Sequence, residues 1–74
     1  MIAEVFGQVL REVRVKQKIS QEELAASCEL DRTYISLLER GKRQPTITTI
    51  FLLSDSLNIA PDKLIKKVHE KIAK

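Results

Sequence analysis

Apolar residues recur at the N-terminal end of the chain with the spacing of an amphipathic helix. Their positions follow i, i+3, i+4, i+7, i+8 and i+11, which places them on one stripe of a helix running to about residue 18. The stripe consists of Ile2, Val5, Phe6, Val9, Leu10 and Val13. We expect it to face the core of the protein.

Polar residues mark the limits of two further helices. Ser20 and Glu23 form an S-x-x-E capping box, which predicts a second helix from about residue 21. Asp31 is a suitable N-cap for a third helix over about 32–40, and Gly41 is expected to end it. Only residues 29–31 separate the two helices, which is the length of turn that a helix-turn-helix uses.

The C-terminal half predicts two more helices and no pair of strands. Pro45 and Thr46 open a fourth helix to about residue 57, and Asn58 can adopt the left-handed conformation that ends it. Pro61 begins a fifth helix over about 61–72. The apolar residues expected to face inward on the fourth helix are Ile47, Ile50, Leu53 and Leu57, and the fifth helix bears the apolar residues Leu64, Ile65, Val68 and Ile72. The predicted fold class is all-α, with five helices in one domain spanning residues 1–74.

Composition narrows the classes of function. Cys28 is the single cysteine, so an internal disulfide is excluded, and with the single His69 it cannot complete the usual four-ligand zinc site. The sequence has no glycine-rich phosphate loop and no paired carboxylates of a catalytic cleft, so we expect no catalytic residues, metal, cofactor or small-molecule ligand. The apolar runs are shorter than the roughly 18 residues of a membrane span, and no signal peptide is recognisable, so we expect a cytoplasmic protein.

The third predicted helix carries the most informative pattern of charge. The net charge of +3 agrees with a nucleic-acid partner, but 13 basic against 10 acidic residues is too even a balance to establish one. Ile35 and Leu38 point to one side of this helix. The other side carries Arg32, Thr33, Ser36, Leu37 and Arg40, side chains that can read base edges in a major groove. An ordinary amphipathic surface helix has the same pattern, so the pattern alone leaves both interpretations open.

Residues 6–66 resemble the Cro and CI type helix-turn-helix family, whose members include phage repressors and many small bacterial regulators. The matching segments are SQEELA at 20–25, ISLLERGKRQPT at 35–46 and LLSDSLNIAPDKL at 52–64. The resemblance implies a five-helix, lambda-repressor-like DNA-binding domain with its helix-turn-helix over about 21–40. It also implies a transcriptional regulator with double-stranded DNA as partner, associated with the nucleoid of a bacterial or phage-infected cell when bound.

The resemblance assigns roles to individual residues. It implies that Gln21 contacts a phosphate and braces the third helix, and that Lys42 and Arg43 lie along the sugar-phosphate backbone or near the minor groove. Base edges are expected to meet Arg32, Thr33, Ser36 and Leu37, with Arg40 on the same side. The segment LDRTYIS at 30–36 also resembles restriction-modification controller proteins, and that likeness adds Tyr34 to the DNA contacts. A Tyr34 ring packed at the edge of the core is the alternative.

Two further positions concern the shape of the domain. Arg14 and Glu39 match a family pair that links the first helix to the end of the third, and we expect a structural ion pair. Glu29 stands where the family commonly has a left-handed glycine in the turn. Either the turn keeps that conformation, at a cost of about 1 to 2 kcal/mol for a residue with a Cβ, or its shape differs.

Large apolar residues on the outer side of the fourth helix predict an interface. Phe51 and Leu52, together with Leu64, Ile65 and Val68, are expected to form the two-fold seam of a homodimer on a palindromic operator. Completion of the monomer core is the alternative role for the fifth helix.

Autoregulation is expected because the chain has no room for a sensing domain. The alternative function is an antitoxin-like interaction module, with a protein such as polymerase or a toxin as partner.

Overall fold

Five helices account for most of the chain. The computed structural model describes residues 1–73, so the last lysine of the basic tail at 66–74 lies outside the described residues. The helices are α1 (Ile2–Lys16), α2 (Gln21–Cys28), α3 (Arg32–Glu39), α4 (Ile47–Ser56) and α5 (Pro61–Ala73). No strand occurs within 1–73, and the predicted all-α class is confirmed. None of these helices is long and apolar enough to cross a membrane.

The predicted caps set the limits of the central helices. Ser20 and Glu23 form both hydrogen bonds of the capping box at the start of α2. The Asp31 carboxylate accepts a hydrogen bond from the Thr33 amide at 2.9 Å and begins α3. Gly41 has a φ of 72°, a left-handed conformation that glycine adopts without steric cost, and it ends α3. The boundaries of α2 and α3 therefore follow from local side-chain chemistry.

One core lies between all five helices. α1 packs against α3 and α5, α2 packs against α3 and α4, and α4 packs against α5. The fully buried apolar residues come from every helix and from the residue that follows α4; they are Leu10, Leu24, Ile35, Leu38, Leu53, Leu57 and Leu64. The burial of Ile35 and Leu38 fixes the rotation of α3 about its axis, and so decides which side of α3 faces outward.

Two of the predicted core positions, Ile2 and Ile47, are wrong. Ile2 is 59% exposed and Ile47 is 67% exposed. Ile2 lies on the correct stripe of α1, but it is at the first turn, where no other helix covers it. On α4 the inward stripe runs through Thr49, Leu53 and Ser54, which turns Ile47 to the outside. Ile72, near the end of α5, is also 41% exposed.

The turn between α2 and α3 keeps a left-handed residue without using glycine. Glu29 has φ 58° and ψ 38° and forms the C-cap of α2. The following amide, that of Leu30, donates to the Ala25 carbonyl at 2.9 Å, which holds the turn closed. The turn therefore keeps the left-handed conformation, and the possibility of a different turn shape is wrong. Glu29 carries the steric cost of its Cβ in this conformation.

Gly7 allows α1 and α3 to approach each other closely. A Cβ at this position would lie 2.6 Å from the carbonyl oxygen of Glu39 and closer still to that of Leu38. Both obstacles are backbone atoms in the last turn of α3, and they cannot rotate away as a side chain would. Gly7 therefore sets the distance between α1 and the end of α3.

We predict that Gly7→Ala lowers the free energy of unfolding by about 1 to 3 kcal/mol, because overpacking outweighs the better helix propensity of alanine. Urea denaturation measures this change. Gln8→Ala, at the neighbouring exposed position of α1, is the control and should cost little. A Gly7→Ala protein as stable as the wild type would contradict the close approach.

We predict that Glu29→Gly raises the free energy of unfolding by about 1 kcal/mol, because glycine adopts the observed φ without a steric penalty. Thermal unfolding followed by circular dichroism measures the effect. A clear loss of stability would show that the turn does not hold Glu29 in the left-handed region.

Candidate nucleic-acid interface

α3 presents two chemically different sides. Its inner side carries Ile35, Leu38 and Glu39, all of them buried. On the outer side Arg32, Thr33 and Arg40 are exposed, and Ser36 and Leu37 are half-buried. The structure therefore places the five residues predicted to face DNA on one side of one helix, with a guanidinium group at each end.

The arginines at the two ends of α3 differ in their surroundings. Arg32 is the first residue of the helix and has no side-chain hydrogen bond within the described chain. Arg40 follows the last residue, and its Nε donates to the Ser36 carbonyl at 3.4 Å, a long and exposed contact. Both guanidinium groups therefore keep most of their donors available for a ligand.

Tyr34 lies at the edge between the two sides of α3. Its ring is half-buried and packs against the core, as the alternative interpretation of this residue required. Its hydroxyl lies 3.4 Å from the Thr49 hydroxyl on α4, which is again a long contact. The ring therefore belongs to the edge of the core, and the hydroxyl keeps hydrogen-bonding capacity at the rim.

The basic segment after α3 is exposed and has a fixed start. The Lys42 amide donates to the Leu37 carbonyl at 2.9 Å, and the Gly41 amide donates to the Leu38 carbonyl at 3.1 Å. Lys42 and Arg43 follow these bonds with exposed side chains. Their charges extend the positive end of the α3 surface, which also carries Arg40.

A buried ion pair joins α1 to the end of α3. The Arg14 Nε and Nη2 atoms donate to the two Glu39 carboxylate oxygens at 2.6 and 3.0 Å. Nη1 of the same guanidinium donates to the Ile19 carbonyl at 2.9 Å. The hydrogen bond to Glu39 raises the pKa of Arg14, and the charge of the carboxylate acts in the same direction. The predicted structural pair is present, and the Ile19 contact is one that sequence reasoning missed.

Gln21 connects the same carboxylate to α2. Its Nε2 atom donates to Glu39 Oε1 at 3.0 Å, so the side chain braces α3 as the resemblance implied. Gln21 is the first residue of α2 and is half-buried. One carboxylate therefore holds the relative positions of α1, α2 and α3.

The predicted dimer seam divides into exposed and buried residues. Phe51, Leu52 and Ile65 are 57%, 40% and 43% exposed. Leu64 is fully buried and Val68 is 6% exposed, because both lie on the inner stripe of α5, so their assignment to the seam is wrong. Ile47, which sequence reasoning assigned to the core, stands one helical turn before Phe51 and adds to the exposed apolar side of α4.

The comparison with known proteins agrees with this geometry. The helix-turn-helix family matches residues 10–64, which include α2, α3 and α4. The chain belongs to this family. The resemblance to Cro and CI type proteins seen in the sequence is thereby confirmed.

Relatives of this helix-turn-helix protein include several restriction-modification controller proteins. Control protein C.BamHI of Bacillus amyloliquefaciens is 44% identical over 62 residues, which are 82% of this chain and 76% of the relative. The controller protein C.AhdI of Aeromonas hydrophila is 42% identical, with a TM-score of 0.81 over 84% of this chain and 94% of the other. The C.Esp1396I tetramer, solved in complex with its natural 35 base-pair operator, is 30% identical, with a TM-score of 0.91 over 100% and 97% of the two chains.

We predict that Glu39→Gln lowers the free energy of unfolding by about 3 kcal/mol, because it leaves the Arg14 charge buried without a counter-charge. Urea denaturation measures the loss. Glu12→Gln is the matched control, since Glu12 pairs with Lys71 at 2.9 Å on the surface and its loss should cost less than about 1 kcal/mol. Equal effects of the two substitutions would contradict the structural role of the buried pair.

Proposed function

We propose that this protein is a sequence-specific transcriptional regulator that binds duplex DNA as a homodimer, with α3 in the major groove. The observation that carries the proposal is the outer side of α3, which presents two guanidinium groups, two hydroxyls and an apolar side chain together. Relatives of the chain are control proteins, and one solved relative is bound to its operator. These relatives favour a regulator over the antitoxin-like interaction module.

The side chains of α3 divide into base contacts and backbone contacts. Arg32 has free donors for the O6 and N7 atoms of guanine, which present a bidentate acceptor pair in the major groove. The Leu37 side chain and the Thr33 methyl group fit the methyl group of thymine, and the Ser36 and Tyr34 hydroxyls add hydrogen bonds at the edge of the face. Base recognition is therefore assigned to the first half of α3 and to its central turn.

We assign the positively charged side chains at the end of α3 to contacts with DNA phosphates. Arg40, Lys42 and Arg43 lie at and beyond its end, and the side chain of Gln21 has a second amide proton that its bond to Glu39 leaves unused. Contacts of this kind fix the position of a protein on the duplex and carry little sequence information. They also make the affinity depend steeply on salt.

The length of α3 favours a dimer. The eight residues of α3 span about 12 Å, which is close to the width of the major groove. A helix of this length can contact about four base pairs. So short a site recurs too often in a genome to specify a promoter. Two copies related by a two-fold axis would double the site and place their α3 helices about 34 Å apart, one turn of DNA. A palindromic operator and autoregulation by protein concentration complete the proposal.

The seam of the dimer is assigned to Phe51, Leu52 and Ile65, with Ile47 added. These side chains form the exposed apolar surface of α4 and its neighbour α5, and such surfaces on small proteins commonly mark interaction sites. We assign this surface to a second copy of the chain rather than to polymerase or a toxin, because one solved relative of similar length, C.Esp1396I, is a tetramer on its operator.

We predict that Arg32→Ala relaxes the preference at one base pair and costs roughly 1 to 3 kcal/mol on the preferred sequence. Lys42→Ala should instead weaken binding to all sequences alike and reduce the salt dependence by about one phosphate contact. Fluorescence anisotropy with the preferred duplex and single-base variants at several salt concentrations measures both effects. An Arg32→Ala protein with unchanged base preference would overturn the assignment of α3.

We predict that Phe51→Asp converts the dimer to a monomer at micromolar concentration, because it places a charge in the apolar seam. Sedimentation equilibrium measures the molar mass. Val15→Asp is the matched control, since Val15 is 50% exposed on α1, outside the seam. Loss of the dimer in both variants, or a wild-type protein that is already monomeric, would contradict the seam.

A further inference from the structure

Three hydroxyl groups lie in a chain between the start of α4 and the rim of α3. The Thr46 Oγ1 atom caps α4 by accepting a hydrogen bond from the Thr49 amide at 3.1 Å. The two threonine hydroxyl oxygens lie 3.0 Å apart, and the Thr49 Oγ1 atom lies 3.4 Å from the Tyr34 hydroxyl oxygen. The cap of α4 therefore holds the Thr49 hydroxyl in place beside that of Tyr34.

Thr49 differs from the residues assigned to DNA because it is buried. It belongs to the inner stripe of α4 and is 7% exposed. A buried hydroxyl group requires a hydrogen-bond partner, and the Thr46 hydroxyl supplies one. An effect of the Thr49 hydroxyl on DNA binding would therefore have to pass through Tyr34, which is half-buried at the edge of the core.

The number of protons limits how the three hydroxyls can be arranged. Each hydroxyl group has one proton to donate and two lone pairs that accept. When the Tyr34 proton is donated to an acceptor atom of a duplex, the phenol oxygen can still accept from Thr49, and Thr49 can accept from Thr46. Hydrogen bonds that run in one direction along such a chain polarise and strengthen one another. The long 3.4 Å contact also means that Thr49 does not hold the Tyr34 proton firmly before DNA binds.

We propose that Thr49 is a positioning residue for DNA recognition, because its buried hydroxyl directs the Tyr34 hydroxyl towards a hydrogen-bond acceptor of the duplex. The acceptor is an oxygen or nitrogen atom of a base edge or a phosphate oxygen. The inference rests on the proposed function, in which Tyr34 contacts DNA. It gives the start of α4 a part in recognition, although Thr49 itself does not contact the duplex.

A double-mutant cycle tests this inference. Dissociation constants are measured for the wild type, Tyr34→Phe, Thr49→Val and the double variant, on the preferred duplex and on its single-base variants. Tyr34→Phe should weaken binding to the preferred duplex roughly three- to tenfold, because it removes one hydrogen bond. Thr49→Val should weaken binding roughly two- to fivefold, because it removes the hydroxyl and keeps a similar shape. In the Tyr34→Phe background Thr49→Val should have no further effect.

Two matched variants separate positioning from packing. Thr49→Ser keeps the hydroxyl and should bind like the wild type. Ser54→Ala removes the other buried hydroxyl of α4, whose Oγ atom has no hydrogen-bond partner within residues 1–73, and should leave binding unchanged. Loss of binding that is confined to one base pair would support the inference with a base edge as the acceptor. An equal loss on every duplex would support it with a phosphate.

Other outcomes would overturn the inference. These are a Thr49→Val loss that persists in the Tyr34→Phe background, and a Thr49→Ser loss as large as that of Thr49→Val. Unchanged binding by Tyr34→Phe or by Thr49→Val would also overturn it and leave the proposed function in place. Failure of the wild type to bind any duplex would instead overturn the proposed function.

Discussion

The orientation of α3, the helix that we propose to enter the major groove, depends on one buried carboxylate. Glu39 lies on the inner side of α3 and accepts hydrogen bonds from Arg14 of α1 and Gln21 of α2. A buried charge is costly unless it is paired and hydrogen-bonded, so other orientations of α3 that break these contacts are strongly disfavoured. The rotation of α3 that satisfies Glu39 is also the rotation that presents Arg32 and Thr33 to solvent. The residues that hold α3 in place and those that we propose to contact DNA therefore belong to the same eight-residue helix.

Close backbone contacts add a second constraint at the end of that helix. Gly7 brings α1 against the last carbonyl groups of α3, and Gly41 receives Glu4 where the basic segment begins. Both glycines lie at contacts between the first and the third helix. Lys42 and Arg43, which we propose to contact phosphates, therefore follow a closely packed part of the backbone, although their own side chains are exposed.

Local signals in the sequence predicted the helices well. Ser20, Asp31 and Pro61 act through hydrogen bonds or dihedral limits within a few residues, so their effects can be read directly from the chain. Helix periodicity was less reliable at the ends of elements. It gives the direction of Ile2 but does not show whether another helix covers it. Ile47 was wrongly assigned to the core for another reason, because the inward stripe of α4 runs through Thr49, Leu53 and Ser54.

Contacts between distant segments were the least predictable part of the site. Leu64 and Val68 form an apolar stripe that fits a core or an interface equally well, and only the packing of α5 against α1 and α4 decides for the core. The contact of Glu4 with Gly41, and of Gly7 with the end of α3, joins residues more than 30 positions apart and has no sequence signature. The ion pair of Arg14 with Glu39 was predicted because of the family resemblance and not because of any local pattern.

The measurement that most directly tests the central claim, that α3 reads duplex DNA as one half of a symmetric pair, is selection of bound fragments from random DNA followed by sequencing. We predict a two-fold symmetric motif whose half-sites lie about one helical turn apart, whereas recovery of no enriched motif at low or physiological salt would contradict the claim.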